Sequence, residues 1–112
     1  MMYGPGTHLA HGGSLIMHSE LQMAYINSCL EHLIGAGARS MEPLPGPTEE
    51  WHRRTQEQIT GTVWAHPSIA HSYFKNADGE IHTVSPWRLC EYRAFLQNPD
   101  WSRFHVRADE TV

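Results

Sequence analysis

The sequence predicts a mainly helical chain with one β-hairpin, in the order helix, helix, hairpin, helix. Apolar residues recur at helical spacing after Ser14, and prolines and glycines cluster between the first two helical stretches. Two β-prone runs then flank an Asn-Ala-Asp-Gly turn. A lone hairpin with three helices is a thin basis for an independent domain. We therefore expect an incomplete domain, and we expect the chain to begin in the middle of one.

The first helix is predicted from Ser14 to Ile34, and Gly35 and Gly37 supply its stop. One apolar stripe runs along it and consists of Ile16, Met23, Ile26, Leu30 and Leu33. This surface is wider than the rest of the chain can cover. Exposed patches of that kind associate, so we expect the stripe to need a partner surface.

Residues 38–47 are predicted to form a linker, because Pro43, Pro45 and Pro47 cannot continue a helix. A second helix is predicted to follow, with Pro47 in its first turn. Its semi-apolar face is marked by Trp51, Thr55, Ile59, Thr62 and Val63. The other faces are polar, which predicts a helix on the outside of the fold.

The hairpin is predicted to pair residues 72–75 with residues 81–84, with Gly79 in the left-handed conformation. The third helix is predicted over residues 87–97, with Ser85 as its N-cap and Pro86 at its first position. Its inner face would consist of Leu89, Tyr92, Arg93 and Leu96. The tail after Trp101 is expected to be loosely ordered. The spacing of Trp51 and Trp87 favours packing positions rather than a binding surface.

Composition excludes several classes of function. The chain has 112 residues, a net charge of −4 and a single basic pair at Arg53-Arg54, which argues against nucleic-acid binding. No apolar run is long enough to cross a membrane, and the N-terminus lacks the pattern of a secretory signal. Cys29 and Cys90 are too few for a disulfide framework or a zinc site. These features favour a reducing cytoplasm, with both cysteines in the core.

Nine histidines suggest a metal, but their spacing does not support one. His8 and His11 are three residues apart and His66 and His71 are five apart, and neither pair has a carboxylate at zincin spacing. We therefore expect no metal site. The run from His11 to Ser14 resembles the oxyanion-hole loop of lipases and esterases. That function also needs a Gly-x-Ser-x-Gly nucleophile elbow, which the sequence lacks.

The glycine-rich loop before the first helix leaves two interpretations open. It can direct free backbone N–H groups at a negatively charged ligand, as helix N-termini do. It can equally be a plain connection between a strand and a helix. No dinucleotide-binding fingerprint and no phosphate-binding loop lies in the sequence, so a nucleotide would be held mainly by other residues.

The string from Met2 to Ile16 (MYGPGTHLAHGGSLI), followed by HSELQ at residues 18–22, resembles a segment of a known enzyme family. That family is the flavin-dependent Baeyer–Villiger monooxygenases, and the 4-hydroxyacetophenone monooxygenase branch is the most similar. The segment lies near their C-terminus. A second block of similarity covers residues 64–67, 72–79, 85–89 and Tyr92. The resemblance thus extends over nearly the whole chain.

The resemblance implies an α/β parent with two dinucleotide-binding domains, one for FAD and one for NADPH. Residues 1–37 would end the FAD-binding domain, and residues 38–112 would form a C-terminal extension. The missing FAD and NADPH domains would be the partners of this chain. The implied reaction inserts oxygen into a ketone to give an ester or lactone. No catalytic residue falls within this sequence, so the isolated chain is expected to be inactive.

The resemblance also implies four cofactor-binding residues. Thr7, His8 and Leu9 match a Thr-Asn-Leu segment beside the pyrimidine edge of the flavin, and Tyr73 matches an aromatic residue near the nicotinamide nucleotide. Three positions depart from the family pattern. Gly6 and His8 replace asparagine, and Glu80 stands where arginine or lysine is usual.

A second class of function fits the composition. The chain can be a non-catalytic α+β module whose exposed aromatic and helical faces bind another protein. This alternative accounts for the missing catalytic constellation, and it implies neither FAD nor NADPH.

Overall fold

The computed structural model describes Gly4, residues 6–9 and residues 13–108. In order, its elements are β1 (His8–Leu9), α1 (Leu15–Gly35), β2 (Ala38–Pro43), α2 (Pro45–Ile59), β3 (Val84–Ser85), α3 (Leu89–Leu96) and β4 (Phe104–Ala108). β1 pairs with β3 in parallel, and β2 pairs with β4 in antiparallel orientation. The predicted mainly helical architecture with a little sheet is confirmed.

The overall dimensions are those of an elongated chain. The principal extents are 57 × 29 × 19 Å, and the radius of gyration is 16.2 Å. A compact domain of this length has a radius of gyration of about 13 Å. Within the described residues, no helix combines the length and apolar character that a membrane crossing requires.

α1 begins and ends where the sequence predicts. The Ser14 side chain accepts a hydrogen bond from the Met17 N–H at 3.1 Å, and Gly37 follows the helix with φ of +60°. The predicted stripe, however, is not the buried face. Ile16 is 74% exposed, because β2 and α3 pack on the side of the helix that carries His18, Gln22 and Cys29.

Two segments expected to lack regular structure form a sheet instead. Residues 38–43, predicted as part of a linker, form β2, and the tail after Trp101 forms a 3₁₀ turn (Trp101–Arg103) followed by β4. Each strand supplies backbone hydrogen-bond partners along the inner edge of the other. Proline does not prevent this arrangement, since Pro43 ends the strand and Pro45 opens α2 at a position that needs no N–H.

α2 therefore starts at Pro45 and ends at Ile59. Its buried residues are Thr55 and Ile59, as predicted, whereas Thr62 and Val63 lie beyond its last turn. Ile59 joins Ile81 and Val84 in the apolar core, against which Trp64, Ala65 and Phe74 pack.

The predicted hairpin is reduced to a turn with one bridge, between Lys75 and Ile81. The side chain of Asn76 organises this turn by accepting hydrogen bonds from the N–H groups of Asp78 and Glu80, at 3.0 and 2.8 Å. Gly79 has φ of +79°, as predicted. The chain beyond Ile81 pairs with β1 rather than extending the hairpin.

α3 is shorter than predicted and is capped differently. Ser85 belongs to β3 and is fully buried, so it is not the N-cap. Arg88 takes the N-cap position, and its N–H donates to the Glu91 carboxylate at 2.9 Å. On the predicted inner face Tyr92 is buried, whereas Arg93 is exposed.

Aromatic packing joins α2 to α3. The rings of Trp51 and Trp87 lie 5.8 Å apart, and the edge of Phe95 meets Trp87 at 4.9 Å. The guanidinium of Arg54 lies 5.7 Å from the centre of the Trp87 ring. The prediction that Trp51 and Trp87 are packing residues is confirmed.

The two cysteines differ in reactivity because only one of them is in the core. Cys29 is 4% exposed and burial raises the pKa of its thiol, whereas Cys90 is exposed, contrary to expectation. We expect an aromatic disulfide reagent at mildly alkaline pH to modify Cys90 rapidly and Cys29 only when the chain unfolds. Absorbance kinetics of the unchanged chain and of Cys90→Ser measure this. Rapid modification of Cys90→Ser would contradict the placement of Cys29.

Candidate functional site

The loop that precedes α1 is held by its own backbone donors. The N–H groups of Gly6, Thr7 and His8 donate to the carbonyls of His82, Gly4 and Thr83, at 2.7, 3.1 and 2.9 Å. The Thr7 hydroxyl also donates to Gly4, at 2.6 Å. The main-chain donors of these three residues are therefore already engaged, two by the segment that leads into β3 and one, that of Thr7, by the local turn at Gly4.

The carbonyl of Thr7 is the centre of a buried polar network. It lies 2.6 Å from His18 Nε2 and accepts a hydrogen bond from Gln22 Nε2 at 2.9 Å. Gln22 Nε2 also donates to the hydroxyl of Tyr92 at 3.1 Å. Since a carbonyl can only accept, the contact assigns the proton to Nε2 of His18.

Burial and stacking complete this network. The exposed fractions of His18, Gln22 and Tyr92 are 1%, 5% and 2%. The rings of His18 and Tyr92 stack at 4.2 Å with an interplanar angle of 13°. Burial raises the pKa of the Tyr92 phenol, and the Gln22 hydrogen bond partly opposes that shift. The phenol is therefore neutral at physiological pH and acts as the acceptor for Gln22.

Sequence reasoning did not identify these three residues as one group. His18 and Gln22 stand four residues apart, which places both on one side of a helix. That spacing was a usable signal, because two polar residues in register on a largely apolar helix indicate a buried polar contact. Nothing local indicates that their partner is the Thr7 carbonyl.

The predicted cofactor-binding residues lie in different environments. Thr7 and His8 are half-buried, and Leu9 is described through its place in β1. Tyr73 is 94% exposed, and the centre of its ring lies 5.4 Å from that of Phe74. Very little of its side chain therefore contacts the rest of the described chain. A role for these four residues in cofactor binding stays a prediction.

His11 and Gly12, which carry the resemblance to an oxyanion-hole loop, lie outside the described residues. Among the residues that the structure does describe, no cluster of three histidine, cysteine, aspartate or glutamate side chains could hold a metal ion.

A groove of about 470 Å³ lies between the loop and α2, and we call it the Gly6 groove. Gly6 and His82 form one side, and α2 forms the other. The residues of α2 that line it are Thr48, Glu49, Trp51, His52, Thr55 and Gln56. At its edge, His52 Nε2 lies 2.8 Å from a carboxylate oxygen of Glu80. Glu80 thus has a partner within this chain, at the position where the resembling family has a cation.

Several known proteins are similar to this chain in sequence. Over about nine-tenths of its length the chain is similar to proteins named as monooxygenases. It is 33% identical over 100 residues to an uncharacterised monooxygenase of Sinorhizobium fredii, which covers 89% of the chain. It is 31% identical over 104 residues to a Baeyer–Villiger monooxygenase of Streptomyces coelicolor, and 27% identical over 111 residues to an FAD-binding monooxygenase of Aspergillus niger.

The last two similarities cover 92% and 96% of this chain. The chain itself spans only 15%, 20% and 18% of the lengths of the three relatives. No protein-family profile and no solved structure matches it. The resemblance to flavin monooxygenases is thereby confirmed at the level of homologues with such names. The 4-hydroxyacetophenone branch stays a prediction.

The polar network generates a prediction about stability. Gln22→Met keeps the length of the side chain but removes both donated hydrogen bonds, and we expect it to lower the free energy of unfolding by about 1–3 kcal/mol. Tyr92→Phe removes only one of these bonds and should cost about 1 kcal/mol. Because the two changes share a bond, the double variant should lose less than their sum. Urea unfolding measures all three, and strict additivity would contradict the shared bond.

Proposed function

We propose that this chain forms the C-terminal segment of a flavin monooxygenase that uses FAD and NADPH. The enzyme would convert ketones into esters or lactones. The observation that carries the proposal is the pattern of similarity to relatives named as monooxygenases. It extends over 89–96% of this chain but over no more than 20% of any of the three relatives. A segment of a larger enzyme has that pattern.

The surface of α1 supports the same proposal. Its outer face carries four exposed apolar residues, Ile16, Met23, Leu30 and Ile34, with exposed fractions of 43–76%. This is a large apolar area for a chain of this size, and such areas mark contacts with other protein. We propose that the rest of the monooxygenase covers the outer face of α1.

FAD, when bound, would supply the oxygen-transfer chemistry. The backbone N–H groups of Gly6, Thr7 and His8, which would be the expected donors to the flavin, already donate to carbonyls within the chain. We propose that Thr7, His8 and Leu9 form a wall beside the cofactor rather than a cradle of main-chain donors. The exposed ring of Tyr73 is open to pack against a nicotinamide nucleotide.

A non-catalytic interaction module would also account for the apolar outer face of α1. It gives no reason for similarity to three monooxygenases along nearly the whole chain. The monooxygenase segment is therefore the better supported of the two functions.

A direct test uses activity. The purified chain, mixed with FAD, NADPH, oxygen and a ketone such as cyclohexanone, should form no ester or lactone, because no catalytic residue was identified in it. Gas chromatography with mass detection measures the product. Sustained turnover by the chain alone would contradict the expected inactivity.

A chimera tests the proposal itself. The matching segment of the Streptomyces coelicolor relative is replaced by this chain, and the same relative with the segment deleted is the control. We expect the chimera to retain FAD and to oxygenate the ketone, while the control does neither. A chimera no better than the deletion would refute the proposal.

The outer face of α1 predicts self-association of the isolated chain. Ile16 and Ile34 are 74% and 76% exposed, so the double change Ile16→Glu and Ile34→Glu should shift sedimentation from oligomers towards monomer. Thr60→Glu, at an exposed position just after α2, is the matched control and should leave association unchanged. A monodisperse monomer of the unchanged chain would count against a missing partner surface.

A further inference from the structure

The outer face of α1 has the residue spacing of a contact between two helices. Along it, exposed residues follow one another at alternating intervals of four and three positions: Ile16, Glu20, Met23, Asn27, Leu30 and Ile34. Such alternating intervals define the a and d positions of a heptad, at which one helix packs into another. We call these residues the α1 seam, and it is about 27 Å long at 1.5 Å per residue.

The seam lies opposite the side of α1 that the rest of the chain covers. The buried residues of the helix are His18, Gln22 and Cys29, and β2 and α3 are the elements that pack on it. With 3.6 residues per turn, Asn27 and Cys29 point in nearly opposite directions. α1 therefore has two contact faces, and only one of them is covered within the described part of the chain.

The polar residues of the seam indicate how a partner helix runs. Glu20 and Asn27 both occupy a positions, and every d position is apolar. In a parallel pair, a positions face a positions, so the polar residues meet in layers of their own. An antiparallel pair would place each of them against an apolar residue, without a polar partner. Asparagine at an a position also fixes the register of parallel pairs. The seam therefore fits a parallel helix.

The charge of α1 indicates the chemistry of that helix. α1 contains Glu20 and Glu31 but no lysine or arginine, and both carboxylates are exposed. Within the described part of the chain, no ion pair joins either of them to a cation. A parallel second copy of this chain would place Glu20 against Glu20, which is unfavourable. The charge favours a different helix, with a cation opposite Glu20.

We propose that the α1 seam binds a parallel amphipathic helix that carries lysine or arginine opposite Glu20 and a polar side chain opposite Asn27. Its other contact residues are apolar and pack against the four apolar residues of the seam. The proposal rests on the proposed function only for the source of this helix, the part of the monooxygenase outside this chain. The chain spans 15%, 20% and 18% of the lengths of its three relatives, so most of such an enzyme lies elsewhere.

Two synthetic helical peptides of three heptads are the probes. Both have leucine at the d positions, and their three a positions are Lys-Asn-Leu in the probe and Glu-Asn-Leu in the matched control. Fluorescence anisotropy measures their binding to the full chain, at concentrations where each peptide alone is monomeric. We expect the lysine peptide to bind roughly three- to tenfold more tightly. Equal affinities, or no saturable binding of the lysine peptide, would overturn the proposal.

A charge reversal localises the contact. Glu20→Lys should reverse the preference, so that the glutamate peptide binds more tightly than the lysine peptide. Glu49→Lys makes the same change of charge at an exposed position of α2 and should leave the preference as it is. A preference that survives Glu20→Lys, or that Glu49→Lys reverses equally, would refute the assignment of Glu20.

Sedimentation in the presence of the peptides tests the other occupant, a second copy. Self-association of the isolated chain through this face should be displaced by the lysine peptide. A discrete dimer that the peptide does not displace would identify a second copy as the occupant and overturn the proposal. None of these experiments needs FAD or oxygenase activity. Their failure would leave the monooxygenase proposal unaffected, and an inactive chimera would leave the peptide preference as measured.

Discussion

The structure depends on one acceptor, the carbonyl oxygen of Thr7. Both of its lone pairs are engaged by buried side chains of α1, His18 and Gln22, and Gln22 extends the contact to Tyr92 of α3. The loop is thereby attached to two helices at once, while its N–H groups attach it to the segment before β3. A buried network of this kind fixes one geometry, because each member loses a partner if another moves.

This attachment changes how the loop can act. A glycine-rich loop before a helix suggests a flexible cradle of free main-chain donors. Here the backbone N–H groups of residues 6–8 donate to carbonyls within the chain. The Thr7 carbonyl in turn accepts two hydrogen bonds, from the side chains of His18 and Gln22. The backbone N–H groups of residues 6–8 are therefore not open to a ligand.

Local signals in the sequence were sufficient to place the helices. Ser14, Gly37 and Gly79 each act through their own backbone geometry, and each was correctly assigned. The buried side of α1 was not, because burial depends on what packs against the helix, and β2 and α3 cover its polar side. β2 and β4 were missed for a related reason, since neither strand forms without the other. The partners of the Thr7 carbonyl lie 11 and 15 positions away, and Tyr92 lies 70 positions beyond Gln22, so no local pattern reveals the network.

The pairing of β2 with β4 brings two distant parts of the chain together. Ala38 meets Ala108 and Pro43 meets Phe104, so both helices α2 and α3 lie inside a loop whose ends touch. The entropy lost on closing such a loop rises only slowly with its length, so the intervening segment tolerates added residues. A backbone cut at the exposed residues His66, Pro67 and Ser68 would leave two pieces that share both two-stranded sheets. The fold thus carries a natural division for fragment complementation.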